Sequence, residues 1–139
     1  MLALIFVLTA CSTDQTIKTG VSSDGLSPCP KSPNCVSSLS EDKAHHVEPL
    51  TYNSTLEEAR EKLISVINSM KRSEIATAEN NYLHITFTSF LFRFVDDVEF
   101  SFDDERKLID VRSASRRGYS DFGVNRRRVE EIRRRFMAR

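Results

Sequence analysis

Asp97-Val98-Glu99-Phe100-Ser101-Phe102-Asp103-Asp104-Glu105-Arg106-Lys107-Leu108-Ile109-Asp110-Val111-Arg112 is the stretch that decides the fold. Val98, Phe100 and Phe102 alternate with polar residues, a charged turn runs from Asp103 to Lys107, and Leu108, Ile109 and Val111 lead back. Successive side chains on a strand point to opposite faces, so the stretch reads as a β-hairpin with one apolar face. If Phe102 faces Ile109 and Phe100 faces Val111, Glu99 falls opposite Arg112. That pair is expected on the solvent face as a cross-strand ion pair.

Upstream the same period of two continues. Glu74 to Glu79 and Tyr82 to Thr88 pair across Asn80-Asn81, because asparagine tolerates the positive backbone angles of tight turns. Leu83, Ile85 and Phe87 then face the core. Ser89 to Val95, Ser-Phe-Leu-Phe-Arg-Phe-Val, is apolar at nearly every position and fits either a strand or one helical turn. Before these strands, Ser54 followed by Glu57 forms a capping box that starts a helix. Leu56, Ala59, Leu63, Val66, Ile67 and Met70 recur along one face of it. After the hairpin, Asn125 is placed to cap a second helix that runs to about Met137, with Val129, Ile132 and Phe136 as its apolar stripe. The expectation is an α+β fold: an antiparallel sheet of about four strands with two helices packed on one face.

The chain's 139 residues, 40% of them apolar and nine of them phenylalanine, suit a single domain able to bury its own core. That domain is expected over residues 28–139. Residues 1–10 form an apolar run too short to span a bilayer, which needs about 20 residues, and they read as the core of a signal peptide. No Lys or Arg precedes the run, as would follow from a start site a few residues upstream of Met1. Leu8-Thr9-Ala10-Cys11 resembles a bacterial lipobox. The resemblance implies cleavage before Cys11 and its acylation with chains such as palmitate, giving a lipoprotein with a membrane anchor. Ser12 beside it does not match the signal for inner-membrane retention. The placement that follows is the cell envelope, facing the periplasm, at the outer membrane. Residues 11–27, rich in Ser, Thr, Gly and Asp, are expected to be a disordered tether.

Two cysteines remain. An oxidising envelope compartment would join Cys29 and Cys35 as a disulfide; the competing reading is a metal pair completed by His45 and His46. The disulfide is preferred, and no metal or other cofactor is expected.

Net charge is zero, yet ten of the twenty basic residues, all arginine, lie between Arg112 and Arg139 against three of the twenty acids. This junction between hairpin and final helix is the candidate site. Arg112, Ser113, Ser115, Arg116, Ser120, Asn125 and Arg126 are anion-binding candidates, since guanidinium forks and helix N-termini suit phosphate or carboxylate. Arg127, Arg128, Arg134 and Arg135 are candidates for facing anionic headgroups. The alternative is a structural or protein-interaction module, with Asp96, Asp97, Glu99 and Asp121 forming an internal ion-pair network with the arginines. A hydrolase would need His84, Asp97 and one of Ser113, Ser115 or Ser120 to meet in a pocket. No signature pairs them, and no catalytic residue is assigned. Nucleic acid is not an expected partner for an exported, tethered chain.

Five segments also resemble a known family: Pro33-Asn34-Cys35-Val36-Ser37-Ser38, Phe94-Val95-Asp96-Asp97-Val98-Glu99, Asp110-Val111-Arg112-Ser113-Ala114-Ser115-Arg116, Gly118-Tyr119-Ser120-Asp121-Phe122-Gly123-Val124-Asn125-Arg126 and Arg128-Val129-Glu130. They are similar to the family called domain of unknown function 1499, over roughly residues 28 to 137. The resemblance implies a shared domain and supplies no activity.

Overall fold

The computed structural model describes residues 18–138. The signal peptide, Cys11 and the first part of the expected tether lie outside them. In chain order the elements are β1 (Val21–Ser22), β2 (Gly25–Leu26), β3 (Cys35–Ser37), β4 (Leu50–Thr51), α1 (Leu56–Asn68), β5 (Ser73–Ala78), β6 (Tyr82–Thr88), β7 (Val95–Asp103), β8 (Leu108–Ser115) and α2 (Val124–Ala138).

The α+β architecture is present, but the expected four strands are too few. The main sheet has six, running β3-β8-β7-β6-β5, with β4 pairing the other half of β8's outer edge. Sequence pattern missed β3 and β4 because two- and three-residue strands carry no period. The hairpin register is the one expected: Phe102 faces Ile109, Phe100 faces Val111 and Glu99 faces Arg112. In the β5–β6 hairpin a bulge at Ala76 interrupts the ladder between Ile75 and Thr77.

Both helices lie on one face of the sheet. Leu63, Val66 and Ile67 of α1 and Val129, Ile132 and Phe136 of α2 are buried against Leu83, Ile85, Val98, Phe100, Ile109 and Val111. The start of α1 is one residue later than the Ser54–Glu57 spacing suggested. Thr55 accepts the Glu58 backbone N–H at its hydroxyl, while the Glu58 carboxylate accepts the Thr55 backbone N–H. Two capping boxes overlap in this sequence, Ser54 with Glu57 and Thr55 with Glu58, and the second is the one formed.

Capping of α2 also differs from expectation. The Asp121 carboxylate accepts the backbone N–H groups of Gly123 and Asn125, so Asp121 and not Asn125 satisfies the helix start. Burial raises the Asp121 carboxyl, but these N–H groups and the Asn125 amide outweigh it and lower its pKa below the usual carboxylate range.

Residues 89–94 are neither strand nor helix. They form a turn closed by Ser89, whose backbone N–H donates to the Phe94 carbonyl and whose hydroxyl accepts the Phe94 N–H. Arg93 sits there in the left-handed region at φ 55°. The apolar run has no surface to pack against, and Phe90, Leu91 and Phe92 stand in solvent.

Residues 18–27, expected as disordered tether, form the small β1–β2 hairpin. Gly20 donates its N–H to Glu99 at 2.6 Å, Leu26 is 5% exposed, and β2 lies against β7 and β8. The hairpin covers the sheet face that the helices leave open. Glu99 and Arg112 are therefore 0% and 2% exposed, not on a solvent face. The Cys29–Cys35 disulfide, with an S–S distance of 2.04 Å, then ties the segment following this cover to β3.

Candidate functional site

The arginine junction divides between the two faces of the sheet. On the helix side, Ser113 and Ser115 of β8 and Asp96 of β7 lie beneath the start of α2. Asn125, fully buried, accepts the Ser113 hydroxyl proton at 2.5 Å and donates its amide to the Ser115 hydroxyl, the Asn34 carbonyl and Asp121. Arg128 donates to Asp96 at 2.6 Å and lies over the Phe87 ring at 4.8 Å. It therefore does not face outward with Arg127 and Arg134, as its place in the helix had suggested.

On the other face, Glu99 collects three donors. The Tyr82 hydroxyl (2.7 Å) and the Gly20 N–H reach Oε1, and Arg112 Nη1 reaches Oε2 at 3.0 Å. Burial, and then the hydrogen bond to Glu99, push the Tyr82 phenol well above its ordinary range. Arg112 uses only part of its donor set, and its Nε is buried without a partner. Beside this cluster, Asp97 accepts two N–H groups of Arg116, each at 2.8 Å, and the His84 ring nitrogen Nε2 lies 2.7 Å from the same carboxylate. Burial would raise the Asp97 carboxyl, but the bonds from Arg116 and His84 prevail and hold it at about 2.

The remaining candidates also have internal partners. Ser120 accepts the Phe122 N–H. Arg126 donates to the His46 and Ala44 carbonyls, and Arg127 to the Phe122 carbonyl. Arg134 and Arg135 share the Glu131 carboxylate, and hydrogen bonds from Arg134 and then Arg135 lower that group to about 2.

His84 and Asp97 do meet, as a hydrolase would require, but Ser113 and Ser115 project to the opposite face of the sheet, toward α2. The cleft beside the disulfide is lined by Asp24, Lys31, Glu41, Asp42 and His45 among others, an acid-rich set that includes none of the anion candidates.

Three contributors escaped the sequence reading. Asn34 donates its amide to the Gly118 carbonyl at 2.6 Å and so ties the disulfide loop to the junction. Its place beside Cys35 in the Pro33–Ser38 motif was the available signal. His45, named in the sequence only as a metal-ligand alternative, is buried with Nδ1 2.8 Å from the Cys35 carbonyl. Gly20 lay in a stretch expected to be disordered.

These features define a class: an α+β domain whose sheet buries apolar residues on one face and ionic residues on the other. The chain belongs to the family described as a protein of unknown function (DUF1499), whose model matches residues 25–136. Comparison with curated proteins and with solved structures found no match. Among the described residues no helix is long and apolar enough to cross a membrane.

Proposed function

We propose that this chain is a non-enzymatic envelope lipoprotein, held to the membrane through an acylated Cys11, whose arginine-dense junction serves as an internal framework. One observation carries the second part of this reading. Each of the seven residues suited to anion binding is engaged inside the domain, from Arg112 on Glu99 to Arg126 on two backbone carbonyls. A carboxylate already paired with a guanidinium offsets its charge and occupies its fork, so a phosphate taken in the same geometry displaces a charge-assisted contact, at a cost of about 1.5–3 kcal/mol.

Two measurements test the reading. Calorimetric titration of the protein with inorganic phosphate and with sulfate is expected to show no saturable heat. Saturable binding that disappears in Arg116→Gln would replace the framework with a receptor site. Mass analysis of the membrane-fraction protein is expected to show an acylated N-terminal peptide, with the acyl mass lost in Cys11→Ser. An unmodified Cys11 would remove the anchor.

A further inference from the structure

One end of the sheet is built differently from the rest of the surface. The β6–β7 turn exposes Phe90, Leu91 and Phe92 at 77%, 74% and 68%, and the β8–α2 loop exposes Tyr119 and Phe122 at 75% and 87%. The two loops are neighbours, since the Arg116 N–H donates to the Val95 carbonyl where both leave the sheet. Large apolar side chains grouped this way on a protein surface mark an interaction site.

The surrounding charge indicates what it meets. Arg93 and Arg117 stand on these loops, and among the described residues neither has an ion-pair or hydrogen-bond partner. Arg72 lies 5.9 Å from the Phe90 ring. The nearby acids are engaged: Asp96 with Arg128, Asp97 with Arg116 and His84, and Asp121 with the start of α2. Glu74 lies further down the sheet, opposite Thr86.

We infer that this end of the domain docks on an anionic lipid surface, with the two loop tips entering the interface and the arginines resting on the headgroups. Aromatic and aliphatic tips ringed by cations match a boundary that is apolar beneath and negative above. A flat strand or helix face, the form suited to a protein groove, is absent from these two turns.

Chain length is consistent with this orientation, a point that rests on the anchor proposed above. Gly20 is held at Glu99, the fifth residue of β7 and so roughly 13 Å along the strand from Val95. The nine residue steps from Cys11 to Gly20 span at most about 30 Å, enough for the lipid anchor and the loop tips to meet one membrane.

The chain contains no tryptophan, so an introduced indole reports its own site. Phe92→Trp places it at the docking end, and Glu105→Trp, in the exposed turn at the opposite end of the β7–β8 hairpin, serves as control. With phosphatidylglycerol-containing vesicles, the Phe92→Trp emission is expected to shift to the blue and be quenched by brominated acyl chains, while Glu105→Trp stays in water. The effect weakens with phosphatidylcholine alone. Arg93→Glu and Arg117→Glu are each expected to lower the partition at least about fivefold.

Three outcomes would overturn the inference: an indole at position 92 as open to a soluble quencher with vesicles as without, equal quenching of both variants, or shielding that grows with protein concentration in the absence of lipid. The last would show that the surface joins protein to protein. Mass analysis of Cys11 on the same samples separates the two ideas. An acylated chain with a water-exposed Phe92→Trp indole removes the docking surface and keeps the anchor; a bare Cys11 with a quenched one does the reverse.

Discussion

Phe100 with Val111, and Glu99 with Arg112, are adjacent cross-strand pairs of one hairpin, and all four side chains are almost fully buried. The first pair is enclosed by the two helices and the second by a two-strand hairpin from the N-terminus. Strand alternation thus separates apolar from polar faces without separating buried from exposed. A charged stripe looks the same in sequence whether water or another segment of the chain lies over it.

The most severe way to break this comparison is to empty one position on each face. Phe100→Ala leaves a cavity in the helix-side core and is expected to cost about 3–5 kcal/mol. Arg112→Met leaves Glu99 buried without its cation and is expected to cost a similar amount, about 3–5 kcal/mol. The two losses differ in what repairs them. Adding Glu99→Gln to Arg112→Met removes the stranded charge while keeping an acceptor for Tyr82 and Gly20. Most of the stability is expected to return, giving a coupling of at least about 2 kcal/mol by denaturant unfolding. If the two losses simply add, the ionic face behaves as ordinary packing and the contrast fails.

Acid is a milder probe, and on the ionic face it acts through Asp97. Asp97 has a folded pKa of about 2, lowered from 3.8. Its bonds to Arg116 and His84 therefore contribute fully above the unfolded value and are lost as pH falls from about 4 toward 2. That contribution is about 2 kcal/mol. Unfolding curves measured across this range should show a smaller acid loss in Asp97→Asn than in the unaltered chain, whereas Phe100→Ala should keep the full loss. Matching losses in Asp97→Asn and the unaltered protein would place the titration elsewhere.

How much was visible in advance follows from the same contrast. Periods of two and of three to four residues located β5 to β8 and both helices, because each of these elements repeats long enough for its buried face to register. The cover did not register, since Val21, Ser22, Gly25 and Leu26 form strands of two residues within a polar stretch. Without it, Glu99 and Arg112 were correctly paired and wrongly exposed. The arginine junction was located by composition, but its partners were not: Asn34 lies 91 residues before Asn125, whose amide reaches its carbonyl. The apolar run 89–95 fits a strand and a helical turn equally by pattern; residues 89–94 form an exposed turn and Val95 opens β7.

The smallest test concerns a single hydroxyl. Tyr82→Phe removes one of the three donors to Glu99 and leaves Arg112 and Gly20 in place. It is expected to cost about 1 kcal/mol by thermal or denaturant unfolding. A loss as large as that of Arg112→Met would mean that the tyrosine, and not the arginine, holds the buried carboxylate.

The bulge at Ala76 has a consequence for the molecule in a crowded solution. Among the described residues β5 is the outermost strand on its side of the sheet, with one row of main-chain groups facing away from β6. A straight, regular rim of that kind invites a second molecule to add its own strand and begin a fibre. The extra residue bends this rim and throws its donors and acceptors out of step, so an incoming chain cannot zip along its full length. The break in this margin comes from one extra residue that belongs neither to the core nor to the arginine junction.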